Sequence, residues 1–223
     1  MTLVVLKEDP YNRPEDGEHM EFRLTYDGPL FSTQKDALDQ QKDNNADHKH
    51  ELRRRFHTQL KRLWEITPYL NNRDALMPHL RTKTAGFHDV PTLAQKHAQF
   101  GFHFVPLITH AIEVFCGLDI LFLRPDKPGH VLWAGDIDNR IKTLIDALRI
   151  PKANERYDQR TPSPDEVPFF CLLEEDELVT KLSIETDQLL EFATPQKMND
   201  VRLVITVRAR PSVMHMGNLE FGA

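Results

Sequence analysis

At 223 residues, with 40% hydrophobic and 28% charged side chains, the chain has the composition of an ordinary globular protein with one substantial core, not of a disordered one. A formal net charge of −6 argues against a protein that coats nucleic acid over its whole surface, because phosphate binding draws on clustered Lys and Arg. No stretch approaches the roughly 18 consecutive apolar residues of a membrane span, and the start MTLVVLKEDP is too short and too soon acidic for a secretory signal. The expectation is a cytoplasmic protein with no membrane partner.

Residues 1–19 read as an acidic N-terminal extension, with Glu8, Asp9, Glu15, Asp16 and Glu18. Met20 to Tyr26 then alternates apolar Phe22, Leu24 and Tyr26 with Arg23 and Thr25, the period of a strand with one buried face, and Asp27-Gly28-Pro29 breaks it. Ser32 to His50 is polar and reads as a solvated linker or loosely held helix. From about Asp47 to Ile66 a helix is expected, with Leu52, Phe56, Leu60, Leu63 and Trp64 on one apolar stripe. Arg53, Arg54 and Arg55 lie mostly outside that stripe, as a solvated face or as a phosphate contact. His48, His50 and His57 nearby read as surface residues, not metal ligands.

Residues 67–98 carry prolines at 68, 78 and 91 with little periodicity and read as an insertion within a single domain spanning 1–223. Phe102 to Ile108 and Cys116 to Leu123 are two β-prone apolar runs, the second a central strand. His103 and His110 accompany them as core or edge residues. Asp138 to Leu148 is the clearest helix, with Ile141, Leu144, Ile145 and Leu148 on one face, Asp138 suited to the N-cap and Pro151 beyond the end. Lys152 to Pro168 reads as a polar connection, and Leu178 to Thr186 and Val201 to Arg208 as half-buried strands. Cys116 and Cys171 lack disulfide or zinc spacing and read as apolar packing residues.

The segment GDIDNRIKTLIDAL, Gly135 to Leu148, sets two carboxylates two residues apart where an extended approach meets this helix. On an extended chain such residues project to one side, so Asp136 and Asp138 could converge on one cation. Asp138, Lys142 and Asp146 are successive i+4 neighbours. A hard cation such as Mg²⁺ takes carboxylates, waters and phosphate oxygens as ligands. The plainer reading of Asp138 is an acid at the positive end of a helix dipole.

The order Asp136-Ile137-Asp138-Asn139, Lys142, Asp146-Ala147-Leu148 and then Glu174-Glu175-Asp176-Glu177-Leu178-Val179 resembles the RusA family of Holliday junction resolvases. The family pattern is a D-x-D-N motif, a following lysine, an aspartate before Ala-Leu on the same helix, and an acid pair leading into a strand. The resemblance covers about Gly117 to Arg210.

It implies a RusA-like α+β fold, a mixed β-sheet with packed helices. It implies Asp136 and Asp138 as metal ligands with Glu175 as third acid, Asp176 lying one register away. Lys142 corresponds to the family lysine needed for cleavage, and Asp146 to a ligand or a lysine partner. The implied cofactor is Mg²⁺ or Mn²⁺, and the implied activity is hydrolysis of branched DNA by a homodimer whose two-fold symmetry matches the junction. Arg53, Arg54, Arg55 and Arg140 are the expected nucleic-acid contacts. The alternative is a non-catalytic nucleic-acid-binding or assembly protein that keeps the fold, favoured by the acidic charge and by the apolar Val131 to Gly135 ahead of the motif.

Overall fold

The computed structural model describes residues 2–6, 20–32, 39–67, 70, 92–125, 136–155, 157, 160–190, 199–215 and 218–221. Most of the expected 67–98 insertion lies outside them. The chain order is β1 (Thr2–Leu6), β2 (Met20–Pro29), α1 (Asp39–Ile66), α2 (Leu93–Lys96), β3 (Ala98–Gln99), β4 (Phe102–Ile108), β5 (Val114–Arg124), α3 (Asp136–Leu148), β6 (Phe169–Leu173), β7 (Val179–Gln188) and β8 (Asp200–Pro211). The class is α+β, with two mixed sheets.

The larger sheet runs β1-β7-β5-β8-β2 and the smaller β3-β4-β6. Within the larger sheet β5 and β7 are parallel, whereas β8 is antiparallel to both β5 and β2, and β1 to β7. Parallel neighbours cannot be joined by a hairpin. The connection from β5 to β7 accordingly contains α3 and β6.

Strict alternation makes β5 the centre of the sheet: Val114, Cys116, Leu118, Ile120, Phe122 and Arg124 are buried while the residues between them are half-buried. The same period turns Val201, Leu203, Ile205, Val207 and Ala209 of β8 into the core. These side chains share one apolar cluster with Leu52, Phe56, Leu60 and Trp64 of α1 and with Ile137, Ile141, Leu144 and Leu148 of α3. Both helices therefore cover the same face of the sheet.

Three elements differ from expectation. Strand β2 continues through Asp27-Gly28-Pro29, because Gly28 adopts φ 149°, and a Cβ there would lie 2.9 Å from the Tyr26 Oη, which donates to the Pro29 carbonyl at 2.6 Å. The expected acidic extension holds strand β1, paired with β7 from Thr2↔Glu185 to Leu6↔Lys181. The Lys152 to Pro168 connection precedes an unexpected strand, β6, parallel to β4. A second, aromatic cluster of Phe102, Phe104, Tyr157 and Phe169 forms there. No helix among the described residues is long and apolar enough to cross a membrane.

Candidate functional site at the two ends of α3

Helix α3 buries Ile137, Ile141, Leu144, Ala147 and Leu148 and exposes Asp138, Asn139 and Lys142. This follows from apolar side chains at i, i+4 and i+7. The helix begins at Asp136, two residues before the expected N-cap, so Asp138 stands in its first turn. The extended geometry that would set positions 136 and 138 on one side is replaced by helical spacing, about 200° for two residues.

Both ends of α3 are anchored. Near its start, Arg140 Nη2 donates to Asn199 Oδ1 at 2.9 Å, beside the first residue of β8. At its far end, Arg149 bridges Leu173 of β6, and the Ile150 amide donates to the Leu173 carbonyl at 3.1 Å. The acids of Glu174 to Asp176 follow Leu173 directly. Lys152 Nζ donates to Asp176 Oδ1 at 3.1 Å, and Arg149 Nε lies 3.9 Å from the same oxygen.

The predicted acids are therefore not gathered. Asp138 and the Glu175-Asp176 pair sit at opposite ends of α3, and the eleven steps from residue 138 to 149 span about 16 Å at about 1.5 Å each. Among the described residues no three His, Cys, Asp or Glu side chains converge as metal ligands do. Of the five acids expected to hold a cation, positions 136 and 138 both fall in the first turn of the helix, about 200° apart around its axis.

Asp146 has another occupation. Its Oδ2 accepts from Lys49 Nζ at 2.6 Å and its Oδ1 from Arg149 Nη2 at 2.6 Å. Burial alone would raise this carboxyl, but Lys49 and Arg149 outweigh it and hold it below the ordinary value. The lysine that Asp146 meets is Lys49 of α1, and not Lys142 of its own helix. Glu155 extends the cluster, bonding Arg53 Nη2 and Arg149 Nη2, both at 2.6 Å. Asp176 is likewise held down by Lys152 and Arg149 against its partial burial.

Arg53 is 2% exposed, and its guanidinium donates to the Asp146 and Arg149 carbonyls and to Glu155. Those carbonyls sit in and just after the last turn of α3, where backbone acceptors lack helical partners, so Arg53 caps a helix and is not a surface phosphate contact. Arg140 is buried too, against Asn199. Arg54 pairs with Glu166 at 2.6 Å, and Arg55 with Glu51 at 3.3 Å; both are exposed. The expected basic face thus reduces to partly neutralised side chains.

The histidines of α1 are less exposed than expected, His48 and His50 being half-buried. His57 is 5% exposed; its Nδ1 accepts from the Phe170 amide at 2.9 Å, so Nε2 carries the proton and donates to the Asp165 carbonyl at 3.0 Å. His50 Nδ1 shares a hydrogen bond with the Tyr157 hydroxyl at 2.6 Å. Burial, aided by Arg160, pushes His50 down to about 4, and burial also lowers His57. Cys116 and Cys171 are buried and free, each thiol pushed up to about 12, as packing residues should be.

By contrast, Asp138 and Lys142 are exposed, one turn apart, and their side chains make no hydrogen bond or ion pair among the described residues. Two further polar side chains escaped the sequence reading, Arg124 and Thr186, both buried on the helix-covered face at the end where α3 begins. The signal existed: Arg124 is in phase with Phe122 and Ile120. No protein-family model matches this chain, and comparisons with curated proteins and with solved structures find no match either.

Proposed function

We propose that the protein is a divalent-metal-dependent endonuclease with a RusA-like fold that cuts branched DNA as a homodimer. The observation that carries this reading is the pair Asp138 and Lys142, exposed and unneutralised on the first two turns of a helix anchored at both ends. Asp146 and Asp176, by contrast, are each matched to a cation. An acid left unpaired next to a lysine suits a site that recruits a metal and a phosphate.

Asp136 and Asp138 would hold Mg²⁺ or Mn²⁺, which when bound activates water for phosphodiester hydrolysis. Lys142, one turn further along, is placed to stabilise negative charge on a phosphate. The anchoring of α3 to β8 and β6 fixes these side chains relative to the sheet. A four-way junction needs two symmetric cuts, which a two-fold dimer supplies.

A second reading is favoured by one observation: Glu175 and Asp176 lie at the far end of α3. A RusA-like chain lacking the third acid at its metal site would bind or assemble on nucleic acid without cutting it. Mn²⁺-dependent nicking of a synthetic four-way junction separates the two. Cleavage abolished by Asp138→Asn with the fold intact supports the enzyme; tight junction binding with no cleavage in Mg²⁺ or Mn²⁺ supports the binder.

A further inference from the structure

Two buried polar side chains at one end of the larger sheet carry shielded polar atoms with no hydrogen-bond partner among the described residues. Arg124, the last residue of β5, is 9% exposed, and its Nε and Nη2 are shielded from solvent without a hydrogen-bond partner. Thr186 on β7 is 7% exposed, and its Oγ1 is in the same condition. A guanidinium does not shed its proton on burial, as a lysine can. With Nε and Nη2 shielded from water and no ion pair among the described residues, Arg124 is a standing electrostatic cost that an anion would relieve.

The two lie close together. Phe122 is in register with Thr186 across the parallel β5–β7 pair, and Arg124 follows Phe122 by one period on the same face. The Arg124 carbonyl accepts from the Leu189 amide at 2.8 Å, so β5 and β7 finish together. Carboxyl ends of parallel strands are where open α/β sheets place their ligands.

Helix α3 opens at the same end and on the same face. Arg140 reaches Asn199, next to Asp200, and β8 there runs beside β5 with Leu123 opposite Arg202. Ile137 and Ile141 belong to the cluster that contains Phe122 and Ile120. The first amides of this thirteen-residue helix lack intrahelical partners and carry the positive end of its dipole.

We infer that this corner is a phosphate site, in which Arg124 is the anion receptor, Thr186 donates its hydroxyl, and the opening amides of α3 supply the remaining donors. Donors of three kinds suit a tetrahedral oxyanion better than a carboxylate, whose two coplanar oxygens the Arg fork alone would satisfy. That the phosphate belongs to a nucleic acid rests on the endonuclease reading; that the corner takes a phosphate does not.

The test uses the full chain in EDTA at constant ionic strength, with inorganic phosphate as probe and acetate as control, read by calorimetric titration and thermal unfolding. Wild-type protein is expected to bind phosphate and not acetate, with Tm rising by about 3–6 °C at ten times Kd. Arg124→Met should lose that response. A wild type indifferent to phosphate, or an Arg124→Met protein that keeps the response, overturns the proposal.

Should Arg124→Met fail to fold, Arg124→Lys keeps the charge without the fork: a Kd at least tenfold weaker supports the site, an unchanged Kd overturns it. A dinucleotide with one internal phosphodiester that competes with phosphate would assign the site to a DNA backbone, and one that competes only when 5′-phosphorylated would assign it to a strand end; both support it. Because no metal is present, phosphate binding that persists in a protein unable to cut a junction sinks the endonuclease reading alone.

Discussion

Lys49 Nζ stands 2.6 Å from Asp146 Oδ2, joining α1 to the last turn of α3 through two side chains that are both nearly buried. Removing one member of such a pair leaves the other charged and without its partner. Asp146→Ala is expected to lower unfolding stability by about 3 kcal/mol in EDTA, measured by urea denaturation. Were Asp146 a metal ligand instead, the metal-free protein would lose little and the loss would appear only in metal titrations.

Arg53 and Arg55 are two residues apart on α1 with opposite environments, one capping α3 from inside and the other in solvent. Arg53→Ala should cost about 3 kcal/mol or more, and Arg55→Ala no more than about 0.5 kcal/mol. Equal effects in thermal unfolding would contradict the capping role.

Lys142→Ala should leave stability within about 0.5 kcal/mol of wild type, since the side chain is exposed and holds nothing among the described residues. Junction cleavage should fall about 100-fold or more if the lysine stabilises charge on the phosphate. Single-turnover nicking assays measure this. Full activity without Lys142 would remove it from the mechanism.

Stability should fall as pH drops below about 6.5. The unfolded chain binds protons on His50 and His57 at the ordinary value of about 6.5, whereas burial keeps His50 neutral down to about 4 and lowers His57 as well. In this window the unfolded state carries more protons, so each step toward acid favours it, and the contribution is intact above 6.5. For His50 the loss is about 2 kcal/mol after allowing for its incomplete burial. Protonating His57 Nδ1 would also break its bond from the Phe170 amide. Denaturant midpoints between pH 8 and 4.5 test this, and a flat profile would contradict it. The depressed carboxyls of Asp146 and Glu155 add a further loss only as the medium falls below about pH 4.5.

Much of the larger sheet could be read from sequence because β2, β7 and β8 alternate with a period of two and β5 is a long apolar, β-prone run. Helix α3 was legible from its apolar spacing. Strand β6 was not, since Phe169 to Leu173 is buried on nearly every residue and a short continuous apolar run has no period. The site was half legible. Asp138 and Lys142 are neighbours through local helical geometry, which spacing determines. Whether Glu175 and Asp176 join them depends on which end of α3 meets β6, a tertiary relationship that no local pattern encodes. Arg53 misled for the same reason: its partner Glu155 lies 102 residues away.

Among the described residues strand β2 pairs with β8 alone, from Met20 opposite Ala209 to Pro29 opposite Asp200. The paired residues lie 171 to 189 positions apart in the chain, a loop closure of the kind that slows folding. Until β8 takes its place, both β2 and the flank of β5 expose unsatisfied backbone, which makes incompletely folded chains prone to aggregate.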